Sequence, residues 1–397
     1  LAPFSPDQRK RFSENWVANY LPPNDEKKKI FIENIDEVSA HSFQLDALSR
    51  IPVLLNLICF IQWRRGKLPN GRAELYQRIV ETYLVAMDRA RLLTHELSDE
   101  YDYQDIKNWL GRLAFNMQSG DLKLLPDGKD FSDFNENQLE KFRLDLPIIG
   151  QERILQVSGD ELKRFFQLHL SEVLPSSELS VHAEAIINYL KIRTGFLIPR
   201  GVIGESEYFG FSHLSFQEYF CAYFLNNAID DFELNYFTNL TNAAKKESWS
   251  EIFQLLFEEM SLTGRSRTYV DKALLKVFIL DGDDSDEIVN NLFPTYAKII
   301  NNPSIKLSNA VRYERKEILT LKYISMRGRE TSIMKDIANY IAEDWVLRKK
   351  KVALLSVHLS NEKIRNIASV IDCSTVTDLT LNDMNVDLLL FLIVYIH

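Results

Sequence analysis

The sequence predicts a mainly α-helical protein with a large core. Glycine and proline are scarce, at 14 and 12 of 397 residues, against a combined share of about 12% in average proteins. Chains built of βα units or β-hairpins need glycine at their turns, so this shortage favours long helices with short connections. Apolar residues make up 46% of the chain and charged residues 26%, values that are normal for a folded protein and exclude a disordered one. At roughly 150 residues per domain, the length predicts two to three domains.

The charge and the cysteines exclude several classes of protein. A net charge of −9 argues against a whole-surface nucleic-acid binder, which needs a positive field, although it leaves room for a local basic face. The three cysteines, Cys59, Cys221 and Cys373, are far apart without CxxC spacing. They predict neither a disulfide framework nor a cysteine zinc site, and they indicate a cytoplasmic protein. No apolar run reaches 18 residues, so we expect no membrane span.

The N-terminal part of the chain has the pattern of successive helices. Ser5 as N-cap and Pro6 at the first helical position predict a helix that continues to about residue 20. Residues 21–25 break this helix, and residues 26–34 resume it. The segment 48–61 is apolar nearly all round, which indicates a helix buried on every side. After a loop at 66–72, apolar residues recur at helical spacing; these are Leu75, Ile79, Val80, Tyr83 and Met87.

The middle of the chain changes from a helical to a strand-like period. Shorter amphipathic helices are predicted around Ile106–Met117 and Leu162–His169. Two short β-type runs then follow, 195–199 and 208–211, around a polar turn at 200–207, and Leu214–Asn226 comes next as an aromatic-rich helix. Helices followed by a small hairpin are typical of a winged helix.

The C-terminal part gives a weaker pattern. Residues 227–345 are predicted to be helical, and a basic run at 348–351 follows. The L-x-L-x-x-x-N spacing of Leu379–Asn385 fits a leucine-rich-repeat strand, and a short α/β domain fits it equally well. The apolar run 388–396 ends the chain, which begins with Leu1 instead of methionine, so we expect a fragment of a longer protein.

The sequence carries no complete catalytic motif. It contains no GxxxxGK[ST], HExxH or GxSxG. Val277–Leu280 is an apolar run followed by acidic residues, a pattern that a magnesium-binding strand also has. Because no P-loop lies upstream, we interpret this segment as a helix end and an acidic loop. His182 and Glu184 have the H-x-E spacing of a zinc deaminase, and no partner cysteines follow.

One histidine stands out by its position. His213, with Ser212 before it, lies at a predicted junction of strand and helix, where a ring N–H and a helix N-terminus could both point at an anion. The alternative is structural: Ser212 and Glu218 cap the helix while His213 packs. The spacing alone leaves both hypotheses open.

The residues around His213 and Pro52 resemble a known family. Phe211–Phe220, with Ala222, resembles the F-x-H-x-S-F-Q-E-Y-x-A-A signature that closes the winged-helix domain of NACHT-type STAND NTPases. Two upstream regions resemble other parts of the family, in the family's order. Residues 3–21 resemble the end of its nucleotide-binding domain. The first helical domain is resembled by Ile51–Cys59, Arg64–Pro69 and Arg72–Tyr76. The resemblance covers about residues 1–225.

The resemblance implies a fold and a domain order. The fold is mainly α, with a helical bundle domain, a winged-helix domain, a second helical domain and a small C-terminal α/β or leucine-rich-repeat-like piece. The implied parts are the tail of the nucleotide-binding domain (1–22), the first helical domain (23–100), the winged-helix domain (101–226), the second helical domain (227–346) and the start of a sensor region (347–397).

The resemblance also implies a nucleotide site. In the family a P-loop domain binds ATP or ADP with magnesium, a proline matched by Pro52 packs against the adenine, and a histidine matched by His213 contacts a phosphate of ADP and holds the off state. We take Ser212 as a third residue of this site. Arg50 stands where the family often has glycine, two residues before the proline, which weakens the expected adenine contact.

These expectations define a function and its alternatives. The chain would be the regulatory part of an ATPase that oligomerises when ATP replaces ADP, in bacterial innate immunity against phage. Without Walker A and Walker B motifs we expect no activity from the chain alone. Expected partners are nucleotide, further copies of the protein and an unknown trigger, for which a phage protein is one candidate; we expect neither membrane nor nucleic-acid binding. The alternatives are a STAND-type transcription regulator and a helical scaffold without a nucleotide role. The hairpin loop at 200–207 contains one arginine and two glutamates, which argues against DNA binding and so against the regulator.

Overall fold

A computed structural model gives the architecture of the chain in two compact units, Leu1–Ile279 with Asn302–Lys306 and Leu280–Asn301 with Leu307–His397. The structure describes residues 3–20, 26, 28–33, 35, 48–65, 69, 71–86, 103–129, 131–149, 151–231, 234–278, 293–309, 311, 351–355 and 378–382. Helices dominate these residues, which confirms the predicted fold class in its coarse form. None of the described helices has the length and apolar character needed to cross a membrane.

The first unit contains most of the described helices. They are α1 (Pro6–Tyr20), α2 (Pro52–Arg65), α3 (Arg72–Glu81), α4 (Tyr103–Ser119), α5 (Glu136–Leu144), α6 (Gly159–Leu170), α7 (Leu179–Tyr189), α8 (Leu214–Ala228), α9 (Leu234–Ala244), α10 (Ser250–Leu262) and α11 (Arg267–Val277). Two of them continue into π-helical turns, α3 into Thr82–Ala86 and α7 into Leu190–Thr194.

The start of α1 confirms the predicted helix signal. The backbone N–H of Gln8 donates to Ser5 Oγ at 3.2 Å, and the Gln8 side chain accepts from the backbone N–H of Ser5 at 2.9 Å. This reciprocal capping box satisfies two donors at the helix end. Further along α1, Trp16 stacks on Phe31 with ring centroids 5.5 Å apart and donates from Nε1 to Asn56 on α2 at 3.0 Å. α1 is therefore held to α2 by a part-buried hydrogen bond, and it also stacks on Phe31.

A short strand before α6 and two strands after α7 form a three-stranded antiparallel sheet in the order β1-β3-β2. β1 is Val157–Ser158, β2 is Leu197–Ile203 and β3 is Ser206–Phe211. The register runs from Leu197 opposite Phe211 to Ile203 opposite Ser206. The predicted polar turn at 200–207 was wrong, because both strands continue into it and the turn is only Gly204–Glu205. Gly204 has φ of 65°, which lets the chain reverse over two residues.

Helix α8 is the centre of the first unit. It contacts α4, α10, α3 and β3, and its side chains Phe216, Tyr219, Phe220 and Leu225 are buried. Phe115 of α4 stacks on Phe224 with ring centroids 4.7 Å apart. The predicted aromatic-rich helix at 214–226 is confirmed, and its burial on several sides explains why aromatic residues occur all around it.

The second unit contains α12 (Phe293–Asn301), β4 (Lys351–Leu355) and β5 (Asp378–Asn382). The two strands pair in parallel, from Lys351 opposite Asp378 to Leu355 opposite Asn382. A strand at 379–381 agrees with the predicted alternation, and a parallel pair is compatible with both interpretations of this region. Residues 348–350, 383–385 and the apolar run 388–396 lie outside the described residues.

Candidate functional site

The junction between β3 and α8 is built by backbone contacts on both sides of His213. The backbone N–H of Ser212 donates to the carbonyl of Phe196 at 2.8 Å, and the N–H of Phe216 donates to the carbonyl of His213 at 3.0 Å. His213 has extended backbone angles, φ −141° and ψ 144°, and is the N-cap residue of α8. The chain therefore passes from strand to helix over two residues, Ser212 and His213.

The side chain of His213 caps its own helix. Its Nδ1 accepts from the backbone N–H of Ser215 at 3.2 Å and lies 2.6 Å from Ser215 Oγ. Because Nδ1 is an acceptor, the proton of the neutral ring belongs on Nε2. The hypothesis that Ser212 and Glu218 cap α8 was therefore wrong in its residues, since the cap comes from histidine, which is not among the usual capping residues.

The surroundings of His213 favour its neutral form. Burial, and then the positive charge of Arg200, lower the pKa of the half-buried imidazole. The guanidinium of Arg200 donates to the carbonyl of Phe211, which holds this cation on the strand that leads into the junction. A neutral Nε2–H, a helix N-terminus and an arginine thus occur at one place, an arrangement suited to an anion.

Tyr76 of α3 reaches the same junction from another helix. Its ring is fully buried between Phe216 and Tyr219, with centroids 5.8 and 5.5 Å away. Burial raises the pKa of its phenol. Sequence analysis did not select Tyr76 or Ser215, although both stand inside the segments that resemble the NACHT family.

Pro52 occupies the first position of α2, where its missing N–H costs nothing. The turn before it is fixed by the N–H of Phe4, which donates to the carbonyl of Arg50 at 2.6 Å, and by the N–H of Ile51, which donates to Leu48 at 3.0 Å. The structure thus places Ser212 and His213 side by side and Pro52 on a separate helix. Helix α3 contacts both α2 and α8.

A second polar cluster lies at the beginning of α3. The guanidinium of Arg72 pairs with Glu251, donates to Gln254 at 3.1 Å and lies 3.6 Å from Glu258. Burial disfavours the charge of Arg72, and Glu258 and Glu251 more than offset this, so that its pKa is raised. Asn302 also donates to Glu258, at 2.7 Å. This cluster, Arg72–Glu251–Gln254–Glu258–Asn302, joins α3 to α10.

Within the described ranges, no group of three or more histidine, cysteine or acidic side chains could hold a metal ion.

Comparisons with known proteins assign no function to this site. No protein-family model matches the chain, and no curated protein matches it.

Proposed function

We propose that the chain is the regulatory part of a NACHT-type signal-transduction NTPase, an oligomerisation switch controlled by ADP and ATP in bacterial innate immunity. The observation that carries the proposal is the geometry of His213, whose Nδ1 accepts from the backbone N–H of Ser215 so that the ring N–H falls on Nε2 at the start of α8. This is the hydrogen-bonding state that a phosphate-binding histidine needs.

The proposed site combines three residues of this chain. His213 donates to a phosphate, Ser212 adds a hydroxyl beside it, and Pro52 provides an apolar surface for the base. A nucleotide-binding domain outside this sequence would supply the P-loop lysine and the magnesium ligands. Nucleotide would then act by differential affinity: if ADP binds the closed form more tightly than the open form, replacing it by ATP shifts the population towards self-association.

The structure disfavours DNA binding by the wing. The tip of the hairpin exposes Val202 and Ile203, at 68% and 59% of their surface, and only Arg200 supplies a cation between residues 200 and 207. Since phosphate contacts need a cluster of cations, a transcription regulator that uses this wing is the weaker proposal.

The test compares ADP and ATP binding by the full-length protein with and without His213→Ala. We expect the variant to bind ADP about 10- to 100-fold more weakly, since a hydrogen bond to a charged group contributes about 1.5–3 kcal/mol, and to retain its ATP affinity. His182→Ala, a histidine on α7, is the matched control and should bind both nucleotides as wild type does. Unchanged ADP binding with a loss of stability alone would reject the switch and favour the scaffold without a nucleotide role.

A further inference from the structure

The guanidinium of Arg200 on β2 lies against the end of β3. It donates to the carbonyl of Phe211, and a Cβ on Gly210 would lie 3.0 Å from its Nε. Phe211 precedes His213 by two residues, which span at most about 7 Å of chain. The guanidinium is therefore held within the reach of one side chain from the His213 imidazole.

The local structure of the hairpin produces this placement. The register of β2 against β3 shifts between Pro199 and Gly201, so Arg200 is the extra residue of a bulge. Gly201 has φ of 136°, a value that residues with a Cβ rarely adopt. Bulges of this kind re-aim a side chain and are frequent beside active sites. The bulge thus takes Arg200 out of the regular alternation of the strand, and the missing Cβ of Gly210 leaves room for its side chain to lie along β3.

The charge of Arg200 has no carboxylate partner among the residues that the structure describes. Glu207, the acidic residue of β3, pairs instead with Lys191 at 3.0 Å. A guanidinium has five N–H groups, and the side chain of Arg200 is exposed with only the Phe211 carbonyl as an acceptor. Because a neutral donor would suffice to tie β2 to this carbonyl, the positive charge and the remaining donors are open to a ligand.

We propose that Arg200 is a phosphate-binding residue, which supplies beside His213 the positive charge that the imidazole, with Nδ1 as an acceptor, lacks. The inference rests on the proposed function for the identity of the ligand, a nucleoside diphosphate, and on the contacts at Gly210 and Phe211 for the position of the guanidinium. Two parallel N–H groups of a guanidinium can bind two oxygens of one phosphate, whereas Nε2–H of the imidazole is a single donor. The proposal makes β2, an edge strand of the sheet, part of the site.

The position of the guanidinium is tested first, without nucleotide. The histidine signals of the 397-residue chain are followed by NMR as pH changes, and His213→Gln identifies those of His213. A cation beside an imidazole disfavours its protonation, so Arg200→Gln should raise the pKa of His213. The matched control is Arg164→Gln, since this guanidinium also donates to a backbone carbonyl, that of Leu125, but pairs with Asp127 at 3.0 Å. The control should titrate as wild type does, and an unchanged His213 pKa in Arg200→Gln would overturn the placement.

The role towards phosphate is tested by binding of ADP and adenosine to the full-length protein. Arg200→Gln should weaken ADP binding about 10- to 100-fold, as expected for the loss of hydrogen bonds to a charged group, and should leave adenosine binding unchanged. Arg200→Lys, which keeps the charge without the planar fork, should bind ADP with intermediate affinity. Arg164→Gln should bind both ligands as wild type does.

An arginine that only ties the hairpin together would affect both ligands alike. ADP binding that is unchanged in Arg200→Gln, or that falls together with adenosine binding, would therefore overturn the inference.

The two proposals fail in different variants. If His213→Ala loses ADP and Arg200→Gln does not, the nucleotide switch stands and the role of Arg200 is rejected. If both variants bind ADP as wild type does, both proposals are rejected. If only Arg200→Gln loses ADP, the arginine is the phosphate contact and the role of His213 in the switch is rejected.

Discussion

The carboxylate of Glu258 on α10 accepts a hydrogen bond of 2.9 Å from the backbone N–H of Ala73 in the first turn of α3. The residue before this helix, Gly71, has no side chain with which to cap it. Glu258 therefore supplies the cap from a distant part of the sequence, where its negative charge also suits the helix N-terminus. Because the same carboxylate binds Arg72 and Asn302, its removal would leave several buried donors unpaired.

The first prediction concerns this carboxylate. We expect Glu258→Ala to lower the free energy of unfolding by about 2–4 kcal/mol, because the buried backbone N–H of Ala73 and the amide of Asn302 both lose this acceptor. Urea unfolding followed by circular dichroism measures the loss. Glu136→Ala is the control: Glu136 also pairs with an arginine that is largely buried, Arg143, but its own side chain is 66% exposed. The control should lose less than about 1 kcal/mol, and equal losses in the two variants would contradict the prediction.

The second prediction concerns pH. Glu259 is 2% exposed, and burial, opposed in part by Lys107, raises the pKa of its carboxyl to about 7. In the unfolded chain a glutamate titrates near ~4.3, so between these values the folded state binds more protons. The unfolding free energy therefore falls as pH rises from about 4 to 7, by roughly 2–4 kcal/mol from this group. The nearby carboxylates of Glu258 and Glu81 also raise the pKa of the Glu259 carboxyl.

Urea midpoints measured across that pH range test this sign. In Glu259→Gln the neutral amide does not titrate, so the fall with pH should become shallower, and the variant should gain on wild type as pH rises. Glu184→Gln, at an exposed position on α7, should give a curve parallel to that of wild type. If the Glu259→Gln curve also runs parallel to wild type, the carboxyl of Glu259 does not titrate in this range.

The third prediction concerns the close approach of β3 to the chain before β1. A Cβ at Gly210 would lie 2.5 Å from the carbonyl oxygen of Leu155 and 3.0 Å from Nε of Arg200. Since backbone must move to relieve the first contact, we expect Gly210→Ala to destabilise the first unit by about 1–3 kcal/mol. In Gly159→Ala the new methyl would meet Phe209 at 3.5 Å, an ordinary contact, and we expect little change or a small gain. Thermal unfolding of both variants measures the difference, and a Gly210→Ala melting temperature equal to that of wild type would refute the clash.

Local signals predicted the helices well. Ser5 and Pro6 marked the start of α1 because a cap and a first-turn proline act within a few residues. The helix after the hairpin was also predicted, since its aromatic side chains recur at helical spacing. In both cases the information lies in the segment itself.

Contacts between segments were beyond such signals. The stack of Tyr76 on Tyr219 joins residues far apart in the sequence, and no periodicity marks it. β1 has two residues, too few to show an alternation. The turn at 200–207 was predicted too long because the outer part of β2 is exposed, and its backbone pairing with β3 needs no apolar pattern.

The π-helical turn at Leu190–Thr194 lies between α7 and the β2–β3 hairpin. A π-helical turn holds one residue more than an α-helical one, and each residue of a helix rotates the chain by about 100°. Deleting a single residue from this turn would therefore swing the hairpin to a different side, whereas exchanging exposed residues such as Ile192 would leave its direction unchanged. A change in the length of this turn, more than a change of its side chains, would therefore re-aim the hairpin.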